Sequence, residues 1–175
     1  RDWSSDVCSS DLKTHIKRIN AEIPDTLGRY NTKQNRLEFT NGSFLNFAYA
    51  EAEQDVYNYD SVEFHWLGID EASHFTPDQL SYLRTRCRIG SFKPVQNIFP
   101  RLIMASNPGG RSHHWLKQKY IDPSPAMTVF GDKSMKSKVT GESWSTIFIP
   151  SRMSDNPHLD QGYDAAFGDL PEWKQ

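Results

Sequence analysis

The stretch "FHWLGIDEA", Phe64–Ala72, decides the fold. It is a near-continuous apolar run closed by two adjacent carboxylates, Asp70 and Glu71. A strand with water on one side alternates apolar and polar side chains, whereas a strand covered on both faces reads as an unbroken apolar run. Phe64–Asp70 therefore reads as a strand buried on both faces, which implies a parallel sheet. In open α/β sheets, ligands bind outside the carboxyl ends of the strands. That end is where this run delivers its two acids.

The flanking sequence supplies the other elements of an α/β pattern. "TPDQLSYLRTRCRI" predicts a helix over Pro77–Arg88, with Thr76 as N-cap, Pro77 at the first helical position, and Leu80 and Leu83 as a stripe. "RLIMAS", Arg101–Ser106, is a second buried strand, and it runs into the tight loop "NPGG". Ser112 is placed to cap a further helix, "HHWLKQKYI". His113 and His114 are adjacent and point different ways on it, which makes a poor metal pair. Trp115 and Tyr120 suit packing better than base stacking. "SWSTIFIP", Ser143–Pro150, is a third strand with alternation.

Upstream, two alternating runs in "RLEFTNGSFLNFAYA" flank Asn41-Gly42, so a hairpin with a type I′ turn is expected. "LKTHIKRINAEIP" reads as a helix ended before Pro24. Residues 122–143, rich in Pro, Gly, Ser and Lys, read as an exposed loop. Its segment "GDKSMKSK", Gly131–Lys138, is either a phosphate contact or simply solvated. Residues 150–175 read as a linker with a short helix near Tyr163–Phe167, and Pro171 begins a further element. Strand, helix, strand, helix is an α/β order.

The chain opens "RDWSSDVCSSDL", Arg1–Leu12, without an initiator Met. It lacks the basic start and apolar stretch of a signal peptide. It also shows no apolar period. Asp2–Leu12 back-translates into a common sequencing-adapter oligonucleotide. Residues 1–12 are therefore expected to be an artefact that packs against nothing, with Trp3 as the sensitive probe. The gene is expected to extend beyond both ends.

The formal charge of the chain is −2. Residues 1–12 hold Arg1 against Asp2, Asp6 and Asp11, a net −2, so the remainder is neutral. No global basic field attracts nucleic acid, and any such contact must be a local patch. With Cys8 set aside, Cys87 is the one cysteine, which excludes a disulfide framework and a cysteine zinc site and suits a reducing compartment. No apolar run reaches the length of a membrane span.

An apolar strand ending Asp-Glu is the Walker B arrangement of P-loop ATPases. In that arrangement Asp70 would hold Mg²⁺ through its water shell, and Glu71 would orient and deprotonate the attacking water. A solvated acidic strand end has the same appearance. Ser106 and Asn107 are carried to a loop beside this strand, where the Asn107 amide is placed to feel a γ-phosphate. Asn-Pro-Gly-Gly is also plain turn chemistry. A rival reading sets "ASNPGGRS", Ala105–Ser112, against the phosphate-binding pattern G-x-x-x-x-G-K-[ST]. It departs at Ala105 and Arg111, and Pro108 removes an amide from the cradle. No other stretch resembles a P-loop.

The segments from about Leu37 to Ile121, and again "IFIPSRMSDNPHLDQGYDAAFGDLPEWKQ", resemble the large subunit of tailed-phage terminases, the DNA-packaging motor. The resemblance implies residues 13–149 as the C-terminal part of the ATPase domain and 150–175 as the start of a linker towards a nuclease domain. It implies an incomplete RecA/ASCE-like parallel sheet with flanking helices, its P-loop strand missing. It makes "SNPGG", with Ser106, Asn107 and Gly109, the motif that couples hydrolysis to DNA movement.

The cofactors implied are ATP and Mg²⁺. The partners implied are double-stranded DNA, a portal protein, a small terminase subunit and a ring of identical subunits, without a membrane, in the host cytoplasm. The fragment itself is expected to be inactive. Arg84, Arg86 and Arg88 are candidates for a trans-acting arginine finger or a DNA contact, or form a solvated helix side. Asp155, Asp160, Asp164 and Asp169 read as solvated linker charges. Two other readings remain open: a helicase-like P-loop ATPase, and a non-enzymatic α/β binding module.

Overall fold

The computed structural model describes residues 16–19, 21–50, 52–88, 100–136, 141, 143–152 and 155. Trp3, the helix expected near Tyr163–Phe167 and the element expected at Pro171 lie outside them, as do Asp160, Asp164 and Asp169. The chain packs as two units, Arg1–Asn58 and Tyr59–Gln175. This division falls inside the segment 13–149 that the resemblance treats as one domain.

In the first unit, residues 16–19 and 21–22 are helical, as expected from the sequence. Three short strands follow as an antiparallel meander: β1 (Gly28–Asn31), β2 (Arg36–Phe39) and β3 (Phe44–Asn46). Leu37 is buried and sits between Tyr30 and Leu45 in the register. Arg36 donates to Glu38 at 2.7 Å and Asn31 donates to the same carboxylate at 3.2 Å, which lowers the Glu38 pKa.

The β2–β3 hairpin is where expected, but its turn is not type I′. That turn needs positive φ at both central residues, and Asn41 does not adopt it. Phe39 N donates to Ser43 O at 2.8 Å and Gly42 N to Phe39 O at 3.0 Å. Gly42 alone takes φ 85°. This is a three-residue loop with glycine in the left-handed bulge position. The Asn41 carboxamide holds the turn from inside, accepting from Ser43 N and Ser43 Oγ at 2.9 and 2.6 Å.

In the second unit, β4 (Trp66–Ile69) and β5 (Arg101–Met104) pair in parallel, Trp66 against Arg101 through Ile69 against Met104. This is the pairing expected from the two apolar runs, and the fold is mixed α/β with small sheets. The strands are not buried on both faces. Leu67, Ile69, Leu102 and Met104 line the covered face, and Trp66, Gly68, Arg101 and Ile103 the open one. Trp66 stays 47 % and Ile103 54 % exposed. The Trp66 ring lies over Gly68, where a Cβ would meet it at 2.6 Å. Among the described residues, no other strand joins this pair.

Helix α1 (Pro77–Arg86) lies between the two strands in sequence. It is started by a capping box: Gln79 N donates to Thr76 Oγ1 at 3.3 Å, and Thr76 N to Gln79 Oε1 at 2.8 Å. Its leaving segment returns alongside Phe64, with Phe64 N donating to Arg86 O and Arg88 N to Phe64 O. Helix α2 (His113–Leu116) continues into a π-helical turn, Lys117–Ile121. β6 (Phe130–Lys136) and β7 (Ser143–Thr146) then form an antiparallel pair with an irregularity between Asp132 and Lys136. Part of the segment read as an exposed loop is therefore a strand. Its Gly, Lys and Ser hide the pattern, but Phe130 and Asp132 share a face and Asp132 is buried.

Candidate active site

The carboxyl ends of β4 and β5 are joined by more than the ladder. Past the strands, Ala105 N donates to Ile69 O at 2.9 Å and Ala72 N to Ala105 O at 2.9 Å. The chain beyond β4 then turns in a single 3₁₀ turn, Ala72–His74. The chain beyond β5 enters the loop at Ser106. Three further bonds tie these two connections: Ser73 N to Ser106 Oγ at 3.0 Å, Ser112 N to Ser73 O at 3.1 Å, and Ser112 Oγ to Ala72 O at 3.1 Å. Gly110 lies so near Ser73 that an added Cβ would sit 2.5 Å from its carbonyl oxygen.

Asp70 and Glu71 stand at this end. Asp70 is exposed, and its Oδ1 accepts from Glu71 N at 3.0 Å. Glu71 has φ 47° and ψ 45°, the left-handed region. A non-glycine residue there carries backbone strain of about 1–2 kcal/mol. Such residues persist where surrounding structure fixes them, and they cluster at functional sites. Asn107, from the β5 loop, donates Nδ2 to Glu71 Oε1 at 3.4 Å. The two acids and Asn107 thus come together from neighbouring parallel strands, 36 residues apart.

A family model described as phage terminase large subunit matches residues 11–172. The chain belongs to the phage terminase large subunits. No curated protein and no solved structure matches it. Membership carries a phage DNA-packaging role and, in general terms, an enzyme of the ATPase and nuclease kind. The packaging machinery implied contains DNA and a portal. Among the described residues, no helix is long and apolar enough to cross a membrane.

Within this terminase segment, the loop Ala105–Ser112 has few groups free for a phosphate. Ser112 Oγ is bound to Ala72 O, Ser112 N to Ser73 O, and Gly109 N to His113 Nδ1 at 3.0 Å. A phosphate cradle needs such amides and that hydroxyl unengaged, so the geometry disfavours the P-loop reading. Ser112 also does not cap α2 with its side chain. It is buried, and its hydroxyl ties the helix start back to the turn after Glu71.

The three arginines of the terminase α1 segment are all engaged. Arg84 is not on a solvated side: it is buried and donates Nη1 to Asp132 Oδ2 of β6 at 3.1 Å and to Tyr120 Oη at 3.2 Å. Arg86 donates to Asp60 O at 2.5 Å, with its guanidinium 4.9 Å above the Tyr82 ring. Arg88 pairs with Glu63 at 3.2 Å. Burial pushes the Tyr120 hydroxyl pKa up, against the opposing pull of Arg84. Trp115 and Tyr120 pack edge to face at 5.7 Å. Sequence reasoning missed the tethering roles of Ser73, Gly110, Ser112 and His113. The signal was available only as small and polar residues gathered in "DEAS" and "NPGGRSH", since the pairing is between segments distant in sequence.

Proposed function

We propose that this chain carries the acid-bearing part of a terminase large-subunit ATPase of RecA/ASCE-like design. The observation that carries the reading is Asn107 bonded to Glu71 at the carboxyl end of the parallel β4–β5 pair. In this reading Glu71 takes the proton of the attacking water, and Asn107 links the state of the γ-phosphate to the position of Glu71. Ser106 and Gly109 shape the coupling loop. Hydrolysis would drive double-stranded DNA into a procapsid, through a portal protein, with a small terminase subunit and a ring of identical subunits, in the host cytoplasm.

The residues fit a magnesium ion shared with a nucleotide and not a self-contained metal site. Asp70 offers one exposed hard carboxylate, and among the described residues no three metal-ligating side chains cluster. Mg²⁺ is commonly held by one or two carboxylates together with waters and substrate phosphates. Asp70 would hold it through a water, and the ion would supply charge neutralisation on the phosphate oxygens. Asp70 also accepts the Glu71 amide, which orients the neighbouring acid.

The test is Glu71→Gln in a terminase large subunit bearing this sequence. ATP binding should be retained, and phosphate release should fall by at least about a hundredfold, the scale of a lost general base. Equal hydrolysis in mutant and wild type removes Glu71 from the base role.

A further inference from the structure

We infer that His113 is a positioning residue that sets the conformation of the loop bearing Asn107. Gly109 N–H donates to His113 Nδ1 at 3.0 Å in a part-buried contact. Gly109 and Gly110 hold φ 102° and 81°, so the loop turns through two left-handed residues. Such glycines are free to adopt many conformations, and something outside them must choose one. Pro108 has no amide proton. Gly109 is therefore the first amide after Asn107 that can be fixed by a hydrogen bond, and His113 fixes it. The residue is itself held, because the His113 main-chain N donates to Gly110 O at 3.4 Å, and the His114 ring sits edge-on to the His113 ring at 5.1 Å.

An accepting Nδ1 is unprotonated, so the neutral ring carries its proton on Nε2. His113 does not touch the two acids. It acts through Gly109 on the placement of Asn107, and through Asn107 on Glu71. Side-chain length gives a sharp discriminator. Asn presents its amide oxygen at about the distance of Nδ1 from the backbone, whereas Gln presents it one atom farther out.

The functional half of this inference rests on the hydrolytic role proposed for Asn107 and Glu71, so the experiment reads structure and turnover separately. In the intact chain, nitrogen-15 spectra of the imidazole should show Nδ1 unprotonated, and a protonated Nδ1 in wild type overturns the inference without any variant. Hydrogen exchange at the Gly109 amide should quicken by about tenfold in His113→Ala, the equilibrium weight of one net hydrogen bond. His113→Asn should restore slow exchange and His113→Gln should not. Unchanged exchange in His113→Ala, or equal behaviour of the Asn and Gln variants, overturns it.

In a terminase large subunit bearing this sequence, kcat should fall in His113→Ala and His113→Gln and recover in His113→Asn, with KM for ATP little changed. Exchange that follows the prediction with kcat unaffected leaves the clasp standing and removes the hydrolytic role of Asn107.

Discussion

The meander β1–β3 and the parallel pair β4–β5 use left-handed backbone in opposite ways. In the meander, positive φ falls on Asn35 and Gly42, the residue types that tolerate it in tight turns. At the end of β4 it falls on Glu71, which does not tolerate it cheaply. The bonds differ in the same sense. The meander is closed by neighbours, such as Asn41 to Ser43 and Arg36 to Glu38. The end of the parallel pair is closed across the chain, Ser73 to Ser106 and Ala72 to Ser112. Local turns are built from residues suited to them. The sheet end holds an ill-suited residue beside connections tied by distant partners, and strained residues of this kind cluster at functional sites.

The largest effect should come from breaking a long-range tie. The side chains of Arg84 and Asp132 are only 10 % and 8 % exposed. Asp132→Ala removes the buried carboxylate to which Arg84 donates, and loss of one partner of a buried pair costs about 3–5 kcal/mol. Denaturant unfolding of the Tyr59–Gln175 unit should move by that amount. A loss under about 1 kcal/mol, the ceiling for a surface pair, would show that the contact is wet in solution.

A matched pair of glycines sharpens the contrast. Gly42 and Gly110 have nearly equal φ, 85° and 81°. A Cβ on Gly42 meets nothing within 4 Å, whereas one on Gly110 meets Ser73 O at 2.5 Å and Ser73 C at 2.8 Å. Gly42→Ala should therefore cost only the left-handed penalty, about 1 kcal/mol. Gly110→Ala carries the same penalty and must also part the two connections, for a total of about 2–4 kcal/mol. Equal costs in denaturant titrations would mean that the two loops are not in firm contact.

Relief of strain is a smaller effect with a distinctive sign. Glu71→Gly removes the left-handed penalty and should stabilise the unit by about 1 kcal/mol while removing the proposed base. Asn35→Gly, at φ 48° in the meander, should be near neutral. A destabilised Glu71→Gly would show that the Asn107 contact outweighs the strain.

Much of this was legible in the sequence, for reasons that differ by element. "FHWLGID" and "RLIMAS" announce a parallel pair because each is apolar, but composition cannot tell that Trp66 and Ile103 face outwards. Asn41-Gly42 announces a hairpin, but the loop length that selects the turn depends on the register of the flanking strands. β1 reads "GRYN" and β6 "FGDKSMK", polar strands whose existence depends on their partners. That Asp70, Glu71 and Asn107 fall at one end of the pair was legible because a strand end and a loop each have local signatures. Arg84 was misjudged because its counter-ion, Asp132, lies 48 residues away in a segment that looked like loop.

The smallest expected effect, read at the mildly alkaline foot of a thiol titration, sets the parallel pair against the meander. Cys87 is buried where the chain leaves α1, and its backbone bridges Phe64. Burial pushes its thiol pKa from 9.0 up to about 11. The folded state thus holds the thiol proton more tightly than the unfolded state does. This contribution to stability is complete below pH 9.0 and is lost as pH rises towards about 11. The meander holds no cysteine and makes no contribution of this kind. Alkylation of Cys87 at mildly alkaline pH should be slow and should follow opening of the Tyr59–Gln175 unit. A thiol that reacts at the rate of a free cysteine would mean that the return of the chain along Phe64 opens readily, and that the start of β4 is less securely held than its acidic end.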